Sequence, residues 1–289
     1  MPVHMIGILL GAGWLLLGEL LHWQNARGLA VFTVSLLLNL FLLPAHYNEK
    51  LFPMNGPAWS LLMEMLASLG LPVLLKLQSR TWILTICAVT ALALAVVGYH
   101  LIDVPRVYGQ PFQLGGDWYQ WYIGLLRMMF SFPLGIAIAL LTRGRERRPS
   151  RWVWLLPLAL AFMFLPTLVG IAHMAYVFVC IAVVFPALLI IGIRFEPVGI
   201  AADLSSFSGQ ISYPLYAVHG TLAPIAWYYL ARRFGLSEAI VLPIYLATAI
   251  ALAWLIAARL DPAIRSRLSK RFPSTGAFRR PGAANPSLA

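Results

Sequence analysis

The stretch Asn55-Gly56-Pro57-Ala58-Trp59-Ser60-Leu61-Leu62-Met63-Glu64-Met65 runs from turn chemistry into an apolar helix. Asn55-Gly56 is a turn dipeptide, and Pro57 suits the first positions of a helix, where its missing N–H costs nothing. The apolar run that follows ends near Leu75 and is interrupted by one carboxylate. Ser60, Glu64 and Ser68 recur every four residues and so form one polar stripe on a helix face. Trp59 stands at the entry, where an amphipathic ring marks a membrane interface. A carboxylate inside a membrane helix costs roughly 2.5–3.5 kcal/mol on insertion scales, which makes Glu64 a functional candidate. It is expected to face the bundle interior, near Arg127 or His219.

The rest of the chain has the same character. Of its 289 residues 61% are hydrophobic and only 11% charged, against about 25% charged in a soluble domain. Nine hydrophobic segments follow one another: Met5–His22, Gly28–Leu43, Ala58–Leu75, Trp82–Tyr99, Trp121–Leu141, Trp152–Leu168, Ile171–Ile193, Ser212–Leu230 and Ala239–Ala258. Runs this long and this numerous predict an all-α, polytopic bundle of about nine transmembrane helices. No polar linker divides them, so residues 1–260 read as one integral membrane domain. Residues 261–289 read as a basic tail, disordered where Pro, Gly, Ser and Ala dominate from Pro273 onward. Cys87 and Cys180 both lie in apolar segments and read as small core residues rather than a disulfide or metal pair.

The net charge of +11 does not indicate nucleic acid, because much of it sits beside membrane segments, where it sets orientation. Arg143, Arg145, Arg147, Arg148 and Arg151 crowd one loop, and Arg259, Arg265, Arg267, Lys270 and Arg271 follow the last segment. Four crossings separate the clusters, which puts both, and the C-terminal tail, in the cytoplasm. Counting back places the loops Pro44–Pro57 and Asp103–Gln120 outside, together with the chain start. Arg232 and Arg233 then fall on the minority side.

Polar residues inside the segments carry the functional information. Arg127 lies two turns into Trp121–Leu141. Two readings stand: snorkelling to the near interface, or facing the interior to pair with an acid or a substrate anion. Glu19 and His22 form an interfacial pair at a helix end. Ser35 and Asn39 share a face suited to helix–helix hydrogen bonds. His173 reads as a structural histidine with its bonds satisfied. Ser212, Tyr216 and His219 fall on one helical face, and a histidine is the usual proton carrier near neutral pH.

Two of these stretches resemble the acyltransferase 3 family of integral membrane acyltransferases. A Trp-Ser-Leu-x-x-Glu motif appears as Trp59-Ser60-Leu61-Leu62-Met63-Glu64, and Ser-Tyr-x-x-Tyr-x-x-His as Ser212-Tyr213-Pro214-Leu215-Tyr216-Ala217-Val218-His219. Between them, Arg127 followed by Phe130 and Gly135 is similar to a family pattern. The resemblance implies transfer of an acyl group, commonly acetyl, from cytoplasmic acyl-CoA to a hydroxyl of a sugar or glycan, in a bacterial inner membrane. Glu64, His219 and Arg127 are then the catalytic candidates. Asn55, Trp59, Ser60, Tyr213 and Tyr216 are the substrate-binding ones. Acyl-CoA is the donor substrate, no bound cofactor or metal is implied, and the partners are acyl-CoA, the acceptor and membrane lipid. Family members begin with two further helices, the first holding a catalytic histidine, and then an arginine-rich turn. Met1-Pro2-Val3-His4 looks like the end of that turn. This implies an N-terminally shortened member with a cytoplasmic start and poor transfer, in which His4 sits at a fraying terminus. A transporter and a non-catalytic membrane subunit are the alternative readings.

Overall fold

The computed structural model describes residues 2–20, 28–77, 80–101, 115–165, 170–260, 262–264 and 266–267. Among these the chain is almost wholly helical: α1 (Pro2–Leu20), α2 (Leu29–Leu40), α3 (Ala58–Leu77), α4 (Arg80–Leu101), α5 (Trp121–Thr142), α6 (Leu155–Phe162), α7 (Gly170–Val179), α8 (Phe185–Ile193), α9 (Ile200–Ala226) and α10 (Glu238–Leu255). A π-helical turn at Cys180–Val184 joins α7 to α8 in one rod, so each of the nine hydrophobic segments has one rod. The helices Thr81–His100, Trp121–Thr142, Ala175–Ile193 and Glu238–Ile264 are long and apolar enough to cross a membrane, while α1, α2, α3 and α6 are shorter apolar helices. Their outward faces are greasy, with Val89 60% and Leu92 66% exposed. Only a hydrocarbon surround makes such surface favourable, and the protein is an integral membrane protein. Cys87 and Cys180 are buried and unbridged. The Glu19–His22 pair and the tail from Pro273 lie outside the residues whose side chains are described.

The direction of each rod follows from its neighbours. The only strands among the described residues, β1 (Arg148–Ser150) and β2 (Phe195–Pro197), pair in parallel. They bring the end of α5 next to the start of α9. At the other end of α5, Gly124 lies against Trp59 at the start of α3, so α3 and α5 start at one level. Ser60 is hydrogen-bonded to Tyr216 in the middle of α9, hence α9 runs back against α3 and α5. Beside it α1 runs parallel to α9: Val3 packs with Ala217 and Val218, Gly11 lies by Thr221, and Trp14 meets Tyr228 and Tyr229 edge-on. The next rod, α2, returns along α1, with His4 bonded to Asn39.

It follows that α2 and α3 run in the same direction. The link between them, expected to be an outside hairpin loop, is instead a pass-through buried at Leu51, Phe52 and Met54. That corrects the charge-based count: the segments do not alternate across this link, so the direction of α1 is opposite to the one counted. The cause is local. Leu42 takes a left-handed conformation (φ 59°), and Leu42 N–H and Leu43 N–H bond back to the carbonyls of Asn39 and Leu38. This is the Schellman ending of a helix, usually served by glycine. The Asn39 side chain braces it, accepting from Met54 N–H (3.4 Å) and donating to Leu43 O (3.1 Å). The Asn39 side chain thus serves the link between α2 and α3 rather than the expected bond to another helix; only its backbone carbonyl is bonded across helices, by His4.

Three more expectations need correction. His4 does not fray: it is 1% exposed, and its Nε2–H donates to Asn39 O at 2.9 Å. His173 is not seen satisfied: among the described residues neither of its buried ring nitrogens has a hydrogen-bond partner. The eighth rod starts at Ile200, twelve residues before the hydrophobic segment. Gly199 at φ 61° launches it, and its polar opening, from Asp203 to Gln210, is exposed. At the C-terminus, residues 262–264 and 266–267 are helical, so helix persists beyond residue 260.

Candidate active site

The start of α3 is held by its own loop and by α9. Ala58 N–H donates to Asn55 O (2.9 Å) and Ser60 N–H to Pro57 O (3.2 Å). Asn55, 2% exposed, donates through Nδ2 to Ala217 O at 2.8 Å. That makes Asn55 a clasp between loop and helix; it is not among the residues lining the α3–α5 cleft, and among the described residues its Oδ1 has no partner. Gly220 lets α9 come this close, because a side chain there would overlap the Pro57 ring.

Trp59 is not the interface anchor expected of it. Its ring lies on a floor of glycines, where a Cβ at Gly115, Gly116 or Gly124 would come within 2.9 Å of the indole. On its other side the Arg127 guanidinium sits 5.3 Å from the ring centroid. Such cation–π contact is worth about 0.5–2 kcal/mol, more when desolvated. The arginine is half-buried, with its guanidinium against the Trp59 ring rather than extended along the helix surface alone.

Trp59, Ser60, Met63 and Glu64 of α3 face Gly124, Arg127 and Ser131 of α5 across a cleft of about 320 Å³. The carboxylate and guanidinium thus line one concave space. Glu64 is nonetheless exposed, because the cleft is open rather than enclosed. Ser68 continues the stripe but turns its hydroxyl back to Glu64 O at 2.8 Å.

Behind Ser60 stands the second motif. Tyr216 Oη donates to Pro57 O at 2.6 Å. A carbonyl only accepts, so the phenolic proton is committed there. In the very short bond to Ser60 the serine must therefore be the donor. The relay runs Ser60 to Tyr216 to Pro57 and fixes the serine oxygen with its lone pairs open. His219 lies one turn on, its ring centroid 5.6 Å from that of Tyr216. Its Nδ1 faces the carbonyls of Tyr216 (2.8 Å) and Leu215 (3.1 Å). Both are acceptors, so in the neutral ring Nδ1 carries the proton and Nε2 is the basic nitrogen. Tyr245 Oη donates to His219 O at 3.1 Å and ties this turn to α10.

Ser60, Glu64, Arg127 and Trp59 therefore meet in one cleft, with Tyr216 joined to it by a hydrogen bond. His219 stands behind Tyr216 and is not among the lining residues. Tyr213 is 37% exposed and lies away from the cleft. Sequence reasoning missed Ser131, whose hydroxyl one turn beyond Arg127 was legible as an i, i+4 neighbour, and Tyr245, which carried no signal. Near the cleft floor, outside the spanning helices, burial pushes the Asp117 carboxyl above the usual range. Lys50 opposes the shift and Glu49 adds to it. Among the described residues no three of His, Cys, Asp and Glu gather as metal ligands.

An acid, a guanidinium and an aligned hydroxyl around one open cleft suit acyl transfer, which needs a proton acceptor and a stabilised oxyanion. The model of the acyltransferase 3 domain, described as an acyltransferase domain, matches residues 5–258, and the chain belongs to that family. No curated protein and no solved structure matches the chain.

Proposed function

We propose that this membrane acyltransferase moves an acyl group from acyl-CoA to a hydroxyl of a sugar or glycan, and that the α3–α5 cleft is where transfer happens. The observation that carries this reading is the meeting of Glu64 and Arg127 across the cleft. Glu64 takes the proton of the acceptor hydroxyl, whose oxygen attacks the thioester carbonyl. Arg127 and the Ser131 hydroxyl balance the charge that develops on the carbonyl oxygen. Collapse forms the ester and expels coenzyme A as thiolate, which regains the proton. Ser60, held by Tyr216, orients the acceptor, and His219 is the second proton carrier one turn behind it. Acyl-CoA is a substrate here, with no bound cofactor. The protein sits in a bacterial inner membrane with its C-terminal tail in the cytoplasm, as the two basic clusters favour.

One observation favours a second reading. A buried pass-through between two short helices running in one direction, α2 and α3, is also how transporters build midplane sites. Membranes carrying the chain separate the two when given labelled acyl-CoA and a mixed glycan acceptor pool, alongside a vesicle flux measurement. Label in the glycan supports the transferase. Flux without label transfer supports a transporter, and neither supports a non-catalytic subunit.

A further inference from the structure

Arg127 and Ser131 line a second space besides the polar cleft. On the adjoining face of α5 a cavity of about 340 Å³ opens between that helix, α4 and the α7–α8 rod. It begins at Arg127 and runs to Ile138 along α5, roughly 16 Å at about 1.5 Å per residue. Beyond Arg127 and Ser131 its walls are hydrocarbon: Phe130, Leu134 and Ile138 on one side, Phe178, Phe185 and Leu189 on the other. Leu189 is 50% exposed, so the far end reaches the lipid-facing surface. Gly135 lies in the wall, and a Cβ there would meet nothing within 4 Å. The groove is thus wide at Gly135, where helix packing would otherwise set a larger side chain.

On the reading of the α3–α5 cleft as an acyl-transfer site, we infer that this groove holds the hydrocarbon tail of the transferred acyl group, and that the preferred donor is a medium-chain acyl-CoA rather than acetyl-CoA. The polarity is what argues it. A thioester carbonyl placed at Arg127 and Ser131 faces Glu64 on the cleft side. The chain attached to that carbonyl then has a continuous apolar path leading away from the reacting atoms. An acetyl group would leave the groove unused. A free bilayer lipid would fit the apolar walls but makes no use of a guanidinium shared with the cleft. The step stays balanced: the acyl–sulfur bond breaks, the acyl–oxygen bond forms, and the acceptor proton ends on the coenzyme A thiol.

The test measures binding of radiolabelled acetyl-CoA and decanoyl-CoA to the full chain in nanodiscs, for the wild type and for Gly135→Leu. The substitution fills the groove from a position with free space and replaces a poor helix former with a good one. The fold is therefore retained, and a thermal unfolding curve checks this. Decanoyl-CoA should bind the wild type at least about tenfold more tightly than acetyl-CoA, since each buried methylene adds favourable transfer energy. Gly135→Leu should erase that advantage and leave acetyl-CoA unchanged. Equal binding of the two donors, or a decanoyl preference that survives Gly135→Leu, overturns the groove assignment while leaving the transferase reading intact. Failure of both donors to bind the folded wild type overturns the transferase reading itself. A photoreactive fatty acid that labels α5 and α8 without competition from decanoyl-CoA identifies a bilayer lipid as occupant and likewise overturns the inference.

Discussion

The two sides of α3 are built to opposite rules. Towards α1, α2, α9 and α10, polar groups are buried and mostly spent on one another. His4 and Asn39 bond across helices, Asn55 clasps α9, and Tyr216 holds Pro57. Towards α4, α5 and the α7–α8 rod, the polar groups line space: Glu64, Arg127 and Ser131 border the cleft of about 320 Å³, and Arg127 and Ser131 also the cavity of about 340 Å³. A hydrogen bond inside a low-dielectric bundle rigidifies what it joins, whereas a polar group on a cavity is available to a ligand. On the proposed function, the difference separates a clamp from a reaction space. Substitutions on the first side should cost stability, and those on the second should cost activity.

The largest effect tests the reaction side. Arg127→Leu removes the charge that balances the oxyanion, and acyl transfer should fall by about 100- to 1,000-fold. The unfolding midpoint should fall only by the lost contact with Trp59, about 0.5–2 kcal/mol, far less than the loss of transfer. A loss of folded protein equal to the loss of activity would move Arg127 to the clamp. Next comes Asn39→Ala. It strands Met54 N–H in the interior, at about 1–3 kcal/mol for an orphaned group, and removes the part-buried bond to Leu43 O. A lowered unfolding midpoint, with normal turnover per folded molecule, is the expected outcome. Turnover that drops while the midpoint holds would show the pass-through to be part of the reaction space.

Smaller effects sharpen the border between the two sides. Tyr216→Phe deletes the hydroxyl between Ser60 and Pro57, a hydrogen bond worth about 0.5–1.5 kcal/mol. Because Tyr216 belongs to the clamp yet aligns a cleft residue, both stability and the KM for acceptor should shift modestly. A change in one alone would place it wholly on that side. Tyr213→Phe is expected to leave acyl transfer per folded molecule unchanged, since Tyr213 is not among the residues that line the cleft. A clear loss of transfer would restore Tyr213 as a substrate-binding residue.

How much of this was legible in the sequence depended on whether one helix or two decided it. The nine rods could be read because apolar runs are a local property, and the stripe Ser60–Glu64–Ser68 because helical spacing is fixed. Arg127 stood out because charge is costly in an apolar run. The direction shared by α2 and α3 was not legible. It turns on Leu42 in a conformation that glycine usually serves, and on Asn39 bracing it through tertiary bonds. Trp59 misled for a similar reason: a tryptophan at a helix entry suits an interface, and only the glycines at 115, 116 and 124 reveal a packed ring. The first turns of α9 escaped because a polar, exposed helix lacks the hydrophobic signal on which segment reading depends.

The central claim, that Glu64 and Arg127 form an acyl-transfer site across the α3–α5 cleft, is tested most directly by one substitution in one assay. Glu64→Gln keeps the side-chain volume and removes the base. Transfer of labelled acyl groups from acyl-CoA to glycan, in membranes with matched amounts of folded protein, should fall about 100- to 10,000-fold. Transfer at the wild-type rate by Glu64→Gln would contradict the account and shift the proton acceptor away from this cleft.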